Sequence, residues 1–173
     1  SRGTDDKNWD IIFNCLNTIK EEIKSNMPYK SVEVYGAEAD DVIATLCSES
    51  SNEVMILSGD KDFIQLQKFP NVKQYSPITK KMINGMNPDD YLKEHVLKGD
   101  TSDGVPNVLS PDNTFVDGIR QRPLSKKKIA TMVEGDFPND EVKRNYQRNK
   151  KLIDLTCSPD ELRSEILDTY KSA

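Results

Sequence analysis

Val54-Met55-Ile56-Leu57-Ser58-Gly59-Asp60-Lys61-Asp62-Phe63 is the stretch on which the fold turns. Four apolar residues in succession predict a short strand covered on both faces, and Ser58-Gly59 predicts the turn that leaves its carboxyl end. Upstream, Val32 and Val34 alternate with Ser31 and Glu33, which reads as another short strand. A turn at Gly36 follows, and then the helical spacing of Val42, Ile43, Leu46 and Cys47. Two parallel strands need a crossover of about this length, and such crossovers are nearly always right-handed. The expectation is therefore an α/β sheet with helices on its faces.

Working outward, Trp9, Ile12, Phe13, Leu16, Ile19 and Ile23 recur at steps of three and four between Asn8 and Asn26, predicting a helix with one buried face that ends before Pro28. Further strands are predicted at Val72 to Tyr75 and Lys81 to Ile83, and Asn87 should cap a helix running through Lys98. Asp100 to Pro123 is rich in Asp, Gly, Pro, Asn and Ser and reads as loop. Helical patterns return at Ser125 to Glu134, Asp140 to Leu155 and Pro159 to Lys171. The chain thus divides into an α/β core at 1–99 and a helical region at 100–173.

With 35% hydrophobic and 31% charged residues and a mean hydropathy of -0.68, the chain is polar yet keeps enough apolar side chains for a core. No apolar run reaches the ~20 residues of a membrane-spanning helix, and Ser1 to Asp6 has no signal-like segment, so a cytoplasmic protein is expected. Cys15, Cys47 and Cys157 lie far apart, and buried free thiols are expected rather than disulfides or a zinc cluster. A start at Ser1 inside a polar stretch suggests a piece of a longer chain.

Charge is segregated. Between Arg120 and Lys151 ten bases face four acids, although the whole chain carries a net charge of -5. A basic segment on an acidic body suits a protein that meets a polyanion, because Lys and Arg gain affinity by releasing counterions from phosphates; a solvated helix face is the plainer explanation.

The acids fall into three groups: Glu38-Ala39-Asp40-Asp41, Asp60-Lys61-Asp62, and Asp100 with Asp103. The first two follow predicted strands, where an open α/β sheet builds its sites. Helix capping explains any one group. All three together point to a divalent cation, because carboxylates gathered without bases repel one another, and Mg²⁺ takes oxygen ligands. Two such ions suit phosphodiester hydrolysis. His95, the single histidine, lies in a polar helical pattern and is expected to be a surface or satisfied residue. Tyr146 and Leu152 are expected to pack their helix. A phosphatase using Asp60 and Asp62 as nucleophile and acid would leave the Glu38 group and the basic segment unexplained.

The runs Glu38-Ala39-Asp40-Asp41-Val42-Ile43-Ala44, Ser58-Gly59-Asp60-Lys61-Asp62-Phe63 and Lys98-Gly99-Asp100-Thr101-Ser102-Asp103-Gly104-Val105-Pro106 resemble, in order and spacing, the motifs of the flap endonuclease and 5′-to-3′ exonuclease family. Phe69-Pro70-Asn71-Val72-Lys73-Gln74-Tyr75-Ser76-Pro77 is similar to its branch of T-even-type bacteriophage ribonucleases H. Val105 to Lys128 lacks the glycine hairpin of cellular members and resembles the phage form. The resemblance implies a partial parallel-sheet core of PIN/5′-nuclease type followed by a helix-hairpin-helix-like (H3TH-like) DNA-binding region.

It also implies a monomeric nuclease that removes 5′ flaps and RNA primers in replication, with two Mg²⁺ ions for which Mn²⁺ can substitute. Glu38, Asp40, Asp41, Asp60, Asp62, Asp100 and Asp103 are then the metal-binding carboxylates, with Asp40, Asp60 and Asp62 nearest the chemistry. Its substrates would be 5′-flap, nicked or RNA-primed duplexes, and a replication clamp or single-strand-binding protein are candidate partners. Phosphate contacts are expected from Lys126, Lys127 and Lys128, and secondarily from Lys143, Arg144 and Arg148. The family pattern begins with an Asp-bearing strand and a second Asp before a helical arch, and neither segment stands in this sequence. Ser1-Arg2-Gly3 resembles the end of that arch, which places Arg2 on DNA. The alternative is a DNA-binding fragment of such a nuclease that lacks catalysis.

Overall fold

The computed structural model describes residues 8–173; Arg2 lies outside them. Helix α1 spans Trp9–Asn26 and α2 spans Ala39–Glu49. Strands β1 (Val54–Leu57), β2 (Val72–Ser76) and β3 (Lys81–Ile83) form one sheet in the order β1-β2-β3. Helix α3 covers Pro88–Lys98, α4 Lys126–Val133, α5 Asp140–Ile153 and α6 Asp160–Ser172.

The sheet is mixed. β1 runs parallel to β2 with Val54 opposite Val72, and β2 runs antiparallel to β3 with Gln74 opposite Ile83. A 3₁₀ helix, Asp62–Lys68, makes the connection between the parallel strands. No strand forms at Val32 and Val34, so the crossover through α2 predicted from sequence is absent, although Val34 is buried. Two alternating valines between Pro28 and Gly36 can become a strand only against a neighbour, and the described residues offer none.

One face of the sheet carries the first core. Ile56, Phe63, Leu66 and Val72 pack with Ala44 and Cys47 of α2. The other face is open, for Met55 is 46% and Leu57 69% exposed, so β1 is covered on one side and not on two. The same holds for α1, whose periodicity is correct but whose apolar face is uncovered among the described residues. Trp9, Phe13, Leu16 and Ile19 are all more than half exposed. An amphipathic pattern states that a face needs cover, but not what covers it. Of the thiols only Cys47 is buried; Cys15 and Cys157 are exposed, and all three are free.

Helix α3 and the helical region share two further cores, one around Leu92, Val96, Val105 and Ile153, the other around Leu97, Val108, Met132 and Val142. Tyr146 packs against both, whereas Leu152 is 63% exposed at the other side of α5 and does not pack as expected. Asparagines on the inner face of α5 hold the long loop. The Asn145 side chain donates to the Val108 carbonyl at 2.9 Å, and Asn149 donates to those of Val96 at 2.9 Å and Pro106 at 2.8 Å. Loss of a buried carbonyl's donor costs about 1–3 kcal/mol; of the three, Pro106 also accepts from Arg148 at 3.3 Å. The caps expected at Asn87 and Ser125 form, and Asn87 accepts from the Asp89 and Asp90 amides.

Gly99 ends α3 at φ 69°, ψ -179°, a conformation almost confined to glycine, and an added Cβ would collide with the Val105 carbonyl oxygen. Gly99→Ala should therefore lower stability by about 2 kcal/mol or more, measured by urea denaturation.

Candidate active site

Four segments deliver side chains to one place. The start of α2 brings Glu38, Asp40 and Asp41; the start of the 3₁₀ helix brings Asp62; the turn after α3 brings Asp100 and Asp103. All six line a cleft of about 360 Å³. The fourth segment is the junction of α5 and α6, which closes the far wall with Lys151, Asp154 and Ser158. Asp60, the seventh expected carboxylate, does not line this cleft, but its charge acts on both Asp40 and Asp62.

The acids are not equivalent. Asp41 is committed on both oxygens, accepting from the Glu38 amide at 3.0 Å and from the Ser158 hydroxyl at 2.7 Å. For this residue the capping explanation holds. Asp60 accepts from the Asp62 amide at 3.0 Å, while the buried Gln74 side chain donates to the carbonyls of Ser58 and Asp60 and so fixes the turn that carries it. Gln74 in turn accepts from Gln67, which also donates to the Ile83 carbonyl. This glutamine pair is a second layer that sequence reading missed, because a polar residue inside a predicted strand carries no periodic signature. Asp100 accepts from the Ser102 amide and hydroxyl.

Electrostatics follows from these contacts. Burial is the main reason that the Asp40 carboxyl titrates above the ordinary range, and the charges of Asp60, Asp62, Glu38 and Asp41 add to it. Burial likewise raises Asp62, against the opposing effect of His95 and with further elevation from Asp60 and Asp100. Asp100 is lowered, chiefly by its bond from the Ser102 hydroxyl. The Tyr91 phenol, 3.4 Å from Asp62, is pushed up to about 12 by burial and by that carboxylate.

His95 departs most from expectation. It is neither a surface residue nor one satisfied elsewhere: its Nδ1 lies 3.4 Å from Asp62 Oδ1 and its Nε2 3.4 Å from Asp100 Oδ2. The chemistry of the donor set, oxygen-rich and crowded with negative charge, fits a hard divalent cation. Among the described residues, however, no group of three or more His, Cys, Asp or Glu side chains is gathered tightly enough to hold a metal as it stands.

The expected cations are divided between two uses. Lys126, Lys127, Lys128 and Lys143 are exposed. Arg144 instead holds Asp112 at 3.1 Å, and Arg148 bonds the same carboxylate, so both arginines brace the long loop. Among the described residues no helix is long and apolar enough to cross a membrane.

A family model described as "5'-3' exonuclease, N-terminal resolvase-like domain" matches residues 10–96. The ribonuclease H of Enterobacteria phage T4 is 35% identical to this chain over 179 aligned residues, which cover 95% of this chain and 58% of that protein. A 5'-3' exonuclease of Buchnera aphidicola is 32% identical over 55% of this chain and 44% of its own length; flap endonuclease Xni of Shewanella sp. MR-4 is 32% identical over 54% and 39%. The chain therefore spans about half the length of these relatives. Among solved structures, the T5 D15 protein co-crystallized with metal ions superposes with a TM-score of 0.63 at 18% identity, covering 94% of this chain and 69% of that one, a likeness of fold.

A carboxyl group raised in the fold favours the folded state when protonated and loses that contribution as the pH rises through its folded value. In EDTA, Asp40→Asn and Asp62→Asn should each melt above the unaltered chain at pH 7. The gap should close as the pH falls toward the ordinary aspartate range, as measured by thermal denaturation followed by circular dichroism.

Proposed function

The chain belongs to the 5′-3′ exonuclease family, and from that membership we propose that it serves metal-dependent hydrolysis of phosphodiester bonds at the 5′ ends of DNA and RNA:DNA duplexes. The observation that carries this reading is the convergence of Glu38, Asp40, Asp41, Asp62, Asp100 and Asp103 on one cleft, with Asp60 at its edge. Seven acids, Asp154 included, line the cleft with a single lysine among them, a site that lacks positive charge, and two Mg²⁺ ions, or Mn²⁺ in their place, answer that lack. When bound, such ions activate water and stabilise charge on the departing oxygen.

The chain's own residues divide the work. Asp40 and Asp62, the two acids most strained by burial and repulsion, are the nearest ligands, with Asp60 beside them and Glu38 completing that side. Asp100 and Asp103 hold the second position across the cleft. Asp41 orients the start of α2 through its two hydrogen bonds rather than serving as a free ligand.

Segment 100–173 supplies the duplex contact, in the manner of a helix-hairpin-helix-like module. Lys126, Lys127 and Lys128 occupy the first turn of α4, where the helix dipole is positive and no acid offsets them. Three bare cations at a helix N-terminus are unfavourable alone and become favourable beside a phosphate. Lys143 adds to this surface. Such contacts give affinity without sequence choice. Flapped, nicked and RNA-primed duplexes are the fitting substrates, and a replication clamp or single-strand-binding protein the fitting partners.

The test is cleavage of a 5′-labelled flap duplex in Mg²⁺, with EDTA and Asp60→Asn as controls. Metal-dependent cutting that Asp60→Asn abolishes would support the reading. Binding without cutting would favour the DNA-binding fragment, a reading consistent with the share of its relatives that this chain spans. In either case, replacing Lys126, Lys127 and Lys128 by Ala should flatten the dependence of log binding constant on log salt by about 2 to 3, since each phosphate that a lysine neutralises contributes roughly 0.9 to that slope.

A further inference from the structure

Helix α5 carries the same dipeptide twice, Arg144-Asn145 and Arg148-Asn149, about one turn apart. Both asparagines are fully buried, and each accepts from the arginine that precedes it. Asn145 Oδ1 lies 3.2 Å from Arg144 Nε and 2.8 Å from its Nη2; Asn149 Oδ1 lies 2.9 Å from Arg148 Nε and 2.8 Å from its Nη2. Buried amides therefore fix both guanidiniums. The two also meet on a single carboxylate, that of Asp112. Arg144 Nη2 is 3.1 and 3.2 Å from its two oxygens, and Arg148 Nη1 bonds the same group. Two guanidiniums held ready for one oxyanion are what arginine offers a phosphate.

The carboxylate that fills this place is not needed to hold its loop. Asp112 and Arg144 are both more than half exposed, and an exposed ion pair contributes little stability. The loop is anchored from within instead. Asn145 donates to the Val108 and Ser110 carbonyls, the Asn107 side chain donates to the Arg122 carbonyl at 2.9 Å, and the Arg122 amide donates to the Ser110 hydroxyl at 2.9 Å. Arg144, Arg148 and Lys151 moreover stand at i, i+4 and i+7, so they share one stripe of α5, about 10 Å long at a rise of about 1.5 Å per residue. Lys151, at the end of the stripe, lines the acidic cleft. The stripe is long enough for about three phosphates of one strand, which stand about 3.4 Å apart along a duplex axis.

We propose that Arg144, Arg148 and Lys151 form a track for the phosphodiester backbone of a strand entering the cleft, and that Asp112 occupies its outer end in place of phosphate until the strand displaces it. This rests on the nuclease reading given above and assigns it a strand path with a built-in competitor. Asp112 brings one charge to the arginine pair, whereas a strand brings successive phosphates to the whole stripe. Asn145 and Asn149 keep the guanidiniums in position through the exchange.

The test is fluorescence anisotropy of a labelled 5′-flap duplex binding to the 173-residue chain in EDTA, across a salt series. Asp112→Asn should bind about three- to tenfold tighter, and its slope of log binding constant against log salt should steepen by about 1, because a phosphate contact is no longer traded for a freed carboxylate. Asp117→Asn removes the same charge from the same loop without touching an arginine, since its carboxylate bonds Asn113, and should leave both quantities near those of the unaltered chain. Adding Arg144→Gln to Asp112→Asn should cancel the gain. Urea denaturation checks that the variants fold. In the unaltered chain the Arg144 and Arg148 Nε–H NMR signals should shift when duplex is added, a readout that needs no variant. Unshifted signals in the duplex-bound chain, unchanged or weaker binding by folded Asp112→Asn, or a gain that Asp117→Asn matches would overturn the track and leave the nuclease reading standing. A folded chain that binds no duplex at any salt concentration would overturn both.

Discussion

Repulsion among carboxylates crowded into one cleft is the constraint on which the rest of this structure depends. The helix starts at residues 39 and 62 soften it, since the positive ends of the backbone dipoles face acids in their first turns. Burial, with repulsion added to it, nevertheless raises Asp40 and Asp62, whereas Asp41 spends its oxygens on Glu38 and Ser158 and Asp100 is eased by Ser102. Capping and site formation are thus not competing explanations here. The same turn of helix uses one aspartate to hold itself in place and its neighbour to carry unrelieved charge.

Such a cleft must be held together from elsewhere, and buried amides do much of it. Gln74 and Gln67 tie the turn bearing Asp60 to the end of β3. Gln65 joins the 3₁₀ helix to the end of α5, donating to the Ile153 carbonyl at 3.1 Å and accepting from the Leu155 amide at 2.9 Å. An amide both donates and accepts without carrying charge, so it can cross-link backbone beside crowded carboxylates without adding to their repulsion.

Local chemistry is legible in the sequence wherever a residue acts on its own neighbours. The Asn87 cap, the Ser125 cap, strands β2 and β3 and the helices after residue 125 all follow from short-range rules, and they stand within a residue or two of expectation. What fails are statements about partners. The valines at 32 and 34 have strand spacing but no strand to pair with, and α1 has an amphipathic face with nothing on it among the described residues. His95 escapes the sequence for the same reason. Its helix looks polar because Glu94, Lys93 and Lys98 surround it in sequence, while the groups that matter to it, Asp62 and Asp100, come from other parts of the chain. The acidic groups are readable because three of them together exceed what capping needs. Their unequal burden is not, because it depends on which oxygen finds a donor.

The division of the chain at residue 99 describes its order better than its packing. Helix α6 returns to lie against α2, with Arg163 on Glu49 at 2.9 Å, and the Ser158 hydroxyl reaches Asp41 across the same seam. Helix α3 faces the other way, against the 3₁₀ helix as well as against α4 and α5. The cleft therefore has one wall from each segment, and the basic turn at 126–128 is joined to it through α3, whose last turn leads into Asp100. Helix α4 thus packs against α3, the helix whose end sets the position of an acid in the cleft. The basic turn and the acidic cleft are separate in sequence but joined through packed helices in the fold.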